Sequence, residues 1–175
     1  VFTSEKTRNE VDISQRYPMP YRAEIIGSAR ASGLDPALAY GLIRQESRFQ
    51  VDIKSSANAY GLMQVIPPTA RNIARRANIP YDPSQITDVG TNLKIGTTYL
   101  KLLLDDFGGS QALATAGYNA GPNRPRRWRE GPVMETAIWV ENIPFNETRD
   151  YVKKVLTNAT IYSALMADPN AQNAS

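Results

Sequence analysis

A glutamate set among apolar neighbours on one helix does most to limit what this 175-residue chain can fold into. Residues 33–49 read Gly-Leu-Asp-Pro-Ala-Leu-Ala-Tyr-Gly-Leu-Ile-Arg-Gln-Glu-Ser-Arg-Phe. Asp35 suits an N-cap and Pro36 the first helical position, so the segment predicts a helix from Pro36 to about Arg48. At about 100° per residue, Leu38, Ala39, Leu42 and Ile43 share an arc. Glu46 projects into that arc, while Arg44 and Arg48 fall on the other side. A carboxylate there is costly unless paired or protonated. Burial disfavours its charged form and raises its pKa. Periodicity alone leaves two readings open: a general acid working near neutral pH, or one half of a structural ion pair with a distant arginine.

The absence of cysteine and histidine narrows the chemistry. It excludes disulfides, thiol nucleophiles, Cys or His metal sites and any Ser-His-Asp triad. Acid–base work must then fall to Asp, Glu, Lys or Tyr. No acidic calcium loop is visible, and neither metal nor cofactor is expected. A hydrophobic share of 42% supports a core for one domain, and no run reaches the ~20 apolar residues of a membrane helix. The net charge of +3 favours anionic polymers, nucleic acid or acidic cell-wall glycan. Arg124, Arg126, Arg127 and Arg129 read as a solvated loop, and Arg75-Arg76 as an exposed helix face.

The chain divides into a polar segment 1–16 (a linker or docking segment), a body 17–166 and a tail 167–175. It opens with Val1, which reads as a processed or excised piece. Within the body, helices are expected at 22–32, at 67 to about 77 after Ile66, and at 89–107 after an Asp88 cap. The last of these carries a stripe of Val89, Leu93, Gly96, Leu100, Leu103 and Phe107. Further helices are expected at 112–118 after Ser110, at 133–139, and to about Met166 behind an Asn146 cap. Tyr151, Val155, Ala159 and Tyr162 line one face of that last helix. Residues 50–66 read as a loop with a short strand or small hairpin. The fold class is mainly α with at most a very small β element, its loops positioned to wall a cleft around Glu46.

Four segments carry a resemblance. They are Gln45-Glu46-Ser47-Arg48-Phe49, Gly61-Leu62-Met63-Gln64-Val65, Gly117-Tyr118-Asn119-Ala120-Gly121, and the stretch 139–152, Trp-Val-Glu-Asn-Ile-Pro-Phe-Asn-Glu-Thr-Arg-Asp-Tyr-Val. Each is weak by itself. In this order and spacing the chain resembles the catalytic domain of soluble lytic transglycosylases over about residues 17–166. The resemblance implies an α+β lysozyme-like fold, and peptidoglycan glycan strands as substrate with no nucleic acid. It implies cleavage of the MurNAc-β-1,4-GlcNAc bond to a 1,6-anhydro sugar, with Glu46 as acid and then base and the substrate acetamido group assisting. It further implies a Gram-negative periplasmic location, an outer-membrane association through a further N-terminal part, and a monomer.

The resemblance also assigns substrate-binding positions. Ser55 matches a serine near the acetamido group, or it stabilises a turn. Gly61, Leu62, Met63 and Gln64 match a floor segment. Gln64 offers donor and acceptor, and Met63 packs against a sugar face or fills core. Tyr118 and Asn119 match the third motif, with the Tyr118 hydroxyl orienting Glu46 or contacting the acetamido group. Glu141 binds the acetamido N–H or pairs with Arg149. Tyr151 binds substrate near the scissile bond. The stretch 56–60, Ser-Ala-Asn-Ala-Tyr, departs from the family pattern because Asn58 and Tyr60 are bulkier than the small residues expected there. Two alternatives remain. A hydrolytic muramidase would use a second carboxylate, such as Asp52 or Glu141. A non-catalytic glycan-binding module would need none of this chemistry.

Overall fold

The structure, a computed structural model, describes residues 13–170. The expected N-terminal docking segment and C-terminal tail lie largely outside those residues. From Arg22 onward the α-helices among the described residues are α1 (Arg22–Ala31), α2 (Pro36–Ser47), α3 (Pro67–Arg76), α4 (Val89–Asp106), α5 (Gln111–Ala120), α6 (Asn123–Trp128), α7 (Thr136–Glu141) and α8 (Asn146–Ala167). The only β structure among the described residues is two isolated bridges, Lys54 with Tyr60 and Tyr60 with Val65. The fold is mainly α, as the sequence implied.

Local chemistry starts the helices where the sequence placed them. Asp35, Asp88 and Ser110 accept hydrogen bonds from the amides of Ala37, Thr91 and Leu113. Three expectations are corrected. Asn146 does not cap α8; Phe145 occupies that position without a side-chain hydrogen bond, and the Asn146 side chain accepts from Arg149 instead. The arginine run is helix α6 rather than loop, because Pro125 falls in its first turn, where a missing N–H costs nothing. Helix α7 begins at Thr136 rather than 133. Val133 is fully exposed, whereas Trp139 and Val140 pack inward.

The core is built on α2 and α8. Leu38, Ala39, Tyr40, Leu42 and Ile43 on α2 are buried, as are Val152, Val155, Ala159 and Tyr162 on α8. Gly41 faces α8 so closely that a Cβ there would lie 2.8 Å from Ala159 N and 2.8 Å from Val155 O. Five residues further along α2, Glu46 meets Tyr151, which precedes Val155 by one turn. Rising numbers on α2 therefore meet falling numbers on α8, and the two helices run antiparallel. The segment 17–21 closes one end. Tyr40 and Tyr162 donate to the carbonyls of Pro20 and Pro18, the Tyr17 ring packs edge-on against Tyr162, and the Arg44 guanidinium sits 4.2 Å from the Tyr17 ring centre.

Candidate active site

Glu46 occupies the last turn of α2 among buried side chains. It keeps part of its residue surface open, yet burial lifts its pKa from 4.5 to about 7, against the lowering effect of a hydrogen bond from Tyr151. That bond is short, Tyr151 Oη donating to Glu46 Oε1 at 2.5 Å. Among the described residues no arginine or lysine shifts the Glu46 titration. The local environment is thus a desolvated acid held by a neutral hydroxyl, rather than half of an ion pair.

Tyr118 comes from α5 to the same place. Burial raises its pKa well above the usual phenol value, and the charge of Glu46 raises it further. Its hydroxyl donates to Met63 O at 2.7 Å, so Tyr151, and not Tyr118, orients the carboxyl. Tyr99 from α4 packs against Tyr118 with ring centres 5.1 Å apart. Asn119, next along α5, accepts at Oδ1 from the buried Thr148 hydroxyl at 2.8 Å. The first, second, third and last sequence motifs therefore converge on one carboxyl through three helices and one turn.

The turn is Gly61–Gln64, closed by reciprocal backbone bonds between Tyr60 and Val65 at 3.0 Å. Gly61 has φ +75°, and Gln64 has φ +46°, an uncommon conformation for a side-chain-bearing residue. Gln64 Nε2 donates to Gly61 O at 2.9 Å and to Ile53 O at 3.2 Å. Its donors are committed, and Oε1 remains as the acceptor. Leu62 and Met63 are 1% and 0% exposed. The expected contact of the Met63 side chain with a sugar face is corrected: Met63 fills core over Gly96, where a Cβ would lie 2.4 Å from its sulfur.

Ser55 lies in the preceding loop, its hydroxyl accepting from Ala57 N and Ala59 N. Asn58 takes φ +59° there, a conformation asparagine tolerates better than most residues. Tyr60 serves both bridges. Glu141, at the end of α7, is mainly exposed and pairs with Lys153 rather than with the expected Arg149; Arg149 donates to Ile143 O and Asn146 Oδ1. Asp52 is exposed in the turn that follows α2. A separate groove of about 920 Å³ between α5 and the later turns of α8 contains none of these residues.

Sequence reasoning did not identify three of the residues that build this site. Gly41 sets the approach of α2 to α8, Thr148 holds Asn119, and Asn92 is buried on α4 with three hydrogen bonds. Asn92 left a trace, a polar residue beside Leu93 on an apolar stripe. Gly41 left a weaker one, a glycine inside a helix, where it costs about 1 kcal/mol relative to alanine.

A helical domain with a lone desolvated carboxyl between tyrosines, beside a glutamine-bearing turn, defines a lysozyme-like architecture. Residues 24–138 match the family described as the transglycosylase SLT domain, and residues 142–170 match the soluble lytic transglycosylase helical domain. The chain belongs to the transglycosylase SLT family. It is 36% identical over 163 residues to the soluble lytic murein transglycosylase of Salmonella typhimurium, covering 91% of this chain and 25% of that protein. An inactive Glu-to-Gln mutant of lytic transglycosylase Slt from Pseudomonas aeruginosa superposes with TM-score 0.85 at 37% identity, over 91% of this chain and 26% of that one. The 70 kDa soluble lytic transglycosylase of Escherichia coli gives TM-score 0.85 at 35% identity over the same shares. The chain thus spans about a quarter of the length of these relatives.

Proposed function

We propose that this domain is a peptidoglycan lytic transglycosylase that cleaves the MurNAc-β-1,4-GlcNAc bond, with Glu46 as its catalytic residue. The observation that carries the reading is a single carboxyl with a pKa of about 7, held by Tyr151 where the motif segments converge. Because Oε1 accepts from Tyr151, Glu46 carries its transferable proton on Oε2. That proton passes to the glycosidic oxygen as the C1–O bond breaks. The substrate's acetamido oxygen bonds to C1, forming an oxazolinium ion. The Glu46 carboxylate then takes the proton of the sugar's 6-hydroxyl, O6 bonds to C1, and the acetamido oxygen leaves. Glu46 ends protonated, no water is consumed, and the product is a 1,6-anhydro sugar. One group acting as acid and then base requires a pKa near the working pH.

Substrate-binding roles follow from the remaining geometry. Gln64 presents an acceptor to sugar hydroxyls or amide N–H. Tyr118 and Asn119 wall the site, Ser55 shapes the loop, and the backbone of Gly61–Met63 forms the floor. Glu141 and its partner Lys153 lie at the rim. The exposed positions of Asp52 and Glu141 favour the transglycosylase over a hydrolytic muramidase, which would pair Glu46 with a second placed carboxylate. That the inactive Pseudomonas aeruginosa relative is a Glu-to-Gln mutant supports assigning the chemistry to one glutamate. A Gram-negative periplasm is the location that fits this reading, since the relatives are murein transglycosylases of Salmonella typhimurium and Escherichia coli.

Mass spectrometry of muropeptides released from purified sacculi tests the proposal. Fragments one water lighter than hydrolysis products are expected, and the Glu46→Gln variant is expected to release almost none. Reducing-end fragments would establish a muramidase instead, and undiminished release by Glu46→Gln would remove the mechanism.

A further inference from the structure

Asn92 lies in the first turn of α4, 1% exposed, where an unpaired amide would be costly. Its side chain is fully engaged. Nδ2 donates to Tyr60 O at 2.9 Å and to Ile86 O at 2.8 Å, and Oδ1 accepts from Met63 N at 2.8 Å. Tyr60 and Met63 flank Gly61 and Leu62 in the turn that ends at Gln64. Gly61 lies against the same amide: a Cβ there would stand 2.5 Å from Asn92 Nδ2. Across the turn, Met63 O receives the Tyr118 hydroxyl.

Among the described residues this turn has no sheet to hold it, only the two isolated bridges. Gly61 takes its positive φ freely, but the left-handed conformation of Gln64 has to be imposed by surrounding contacts. Asn92 supplies two contacts to the turn, to Tyr60 O and from Met63 N, from helix α4. Thr97, the other buried polar residue on this part of α4, does something different. Its hydroxyl bonds within α4 to Leu93 O and shares a hydrogen bond with Ser32, away from the turn.

We propose that Asn92 is a positioning residue for glycan binding: its amide fixes the 60–64 turn, and with it the Gln64 acceptor and the anchor of Tyr118, without touching the glycan. The inference rests on the glycan-cleaving function proposed above. It predicts that loss of Asn92 weakens substrate binding separately from stability, because acceptors set in advance lower the ordering cost of binding. Proton transfer by Glu46 is affected less, since Tyr151 holds that carboxyl from another helix.

The test is steady-state cleavage of soluble uncrosslinked glycan strands at a temperature well below unfolding, with pH profiles and melting temperatures alongside. Asn92→Ala is expected to raise KM about tenfold, the effect of losing one good hydrogen bond's worth of order, with the pH dependence of kcat unchanged. Asn92→Ser, whose single short hydroxyl cannot span Tyr60 O, Ile86 O and Met63 N together, is expected to raise KM in the same way and keeps the test usable should Asn92→Ala not fold. Thr97→Val is expected to lower the melting temperature with KM held within about twofold. A normal KM in a folded Asn92→Ala or Asn92→Ser variant would overturn the inference, as would a KM in Thr97→Val that rises as much as theirs. If the unaltered chain releases no anhydro product, the functional proposal fails; if it does and the variants keep its KM, only the role of Asn92 fails.

Discussion

Gly41→Ala tests the packing that brings the acid to its partner. The added Cβ would lie 2.8 Å from two backbone atoms of α8, Ala159 N and Val155 O, and 3.1 Å from Ala159 Cα. Backbone atoms cannot rotate away, so the helices must part. Ordinary contact begins near 3.4 Å, which asks for a local separation of about 0.6 Å, from 2.8 Å to 3.4 Å. Overpacking of this kind costs ~1–3 kcal/mol. Alanine's better helix propensity returns ~1 kcal/mol, so a net loss of up to ~2 kcal/mol is expected. For a chain of this size that lowers the melting temperature by up to roughly 8 °C. The same separation acts one turn away on the 2.5 Å bond between Tyr151 and Glu46, so turnover at 25 °C should fall in protein that remains folded. Gly27→Ala on α1 is the internal control. A Cβ there meets nothing within 4 Å, and the change should stabilise by ~0.5–1 kcal/mol. Scanning calorimetry with a turnover assay decides the matter. A melting temperature for Gly41→Ala that rises like that of Gly27→Ala would refute the close approach of α2 and α8.

Three further outcomes follow from Glu46. Turnover that needs protonated Glu46 should fall as pH rises through about 7; a rate profile flat from pH 5 to 9 would contradict this. Tyr151→Phe removes a hydrogen bond that lowers the Glu46 pKa, so the alkaline limb of kcat/KM should move to higher pH, and a downward move would refute the assignment. Stability carries the same signature. The folded pKa of Glu46 lies above its ordinary 4.5, so the folded state binds the extra proton and stability declines as pH rises from about 4.5 to about 7, then levels. Raising the carboxyl from 4.5 to about 7 corresponds to about 3 kcal/mol. Glu46→Gln keeps an acceptor for Tyr151 and removes this penalty. Its melting temperature should therefore exceed that of the unaltered protein increasingly across that window, and a variant less stable at pH 8 would point to a structural ion pair instead.

What could be read from the chain followed the range of the forces involved. The cap residues Asp35, Asp88 and Ser110 act within three residues, and the α4 stripe repeats within one helix, so both were legible. So was the apolar setting of Glu46, because neighbours on its own helix supply it. The Asn146 and Asn92 cases show the limit. Both are asparagines near the start of a helix. Asn146 looked like a cap, yet Arg149 takes its side chain. Asn92 showed only as a polar residue beside the α4 stripe, yet it ties α4 to a turn 29 residues away. Local sequence cannot separate these cases, because a side-chain amide bonds equally well to near and distant partners.

The tyrosines carry the same lesson into the site. Both Tyr118 and Tyr151 fell in motifs, and either hydroxyl had the chemistry to orient Glu46. The choice was made by helix placement. Gly41 lets α8 approach α2, which puts the Tyr151 hydroxyl on Glu46. The Met63 carbonyl, turned toward α5 in a segment whose amide Asn92 holds, claims Tyr118. Two residues with no chemistry of their own, a glycine and a buried amide, thus assign the two phenols to different tasks. A substitution at either should alter the site without touching a reacting atom, and by different routes: Gly41 through the acid, Asn92 through the floor on which the sugar would rest.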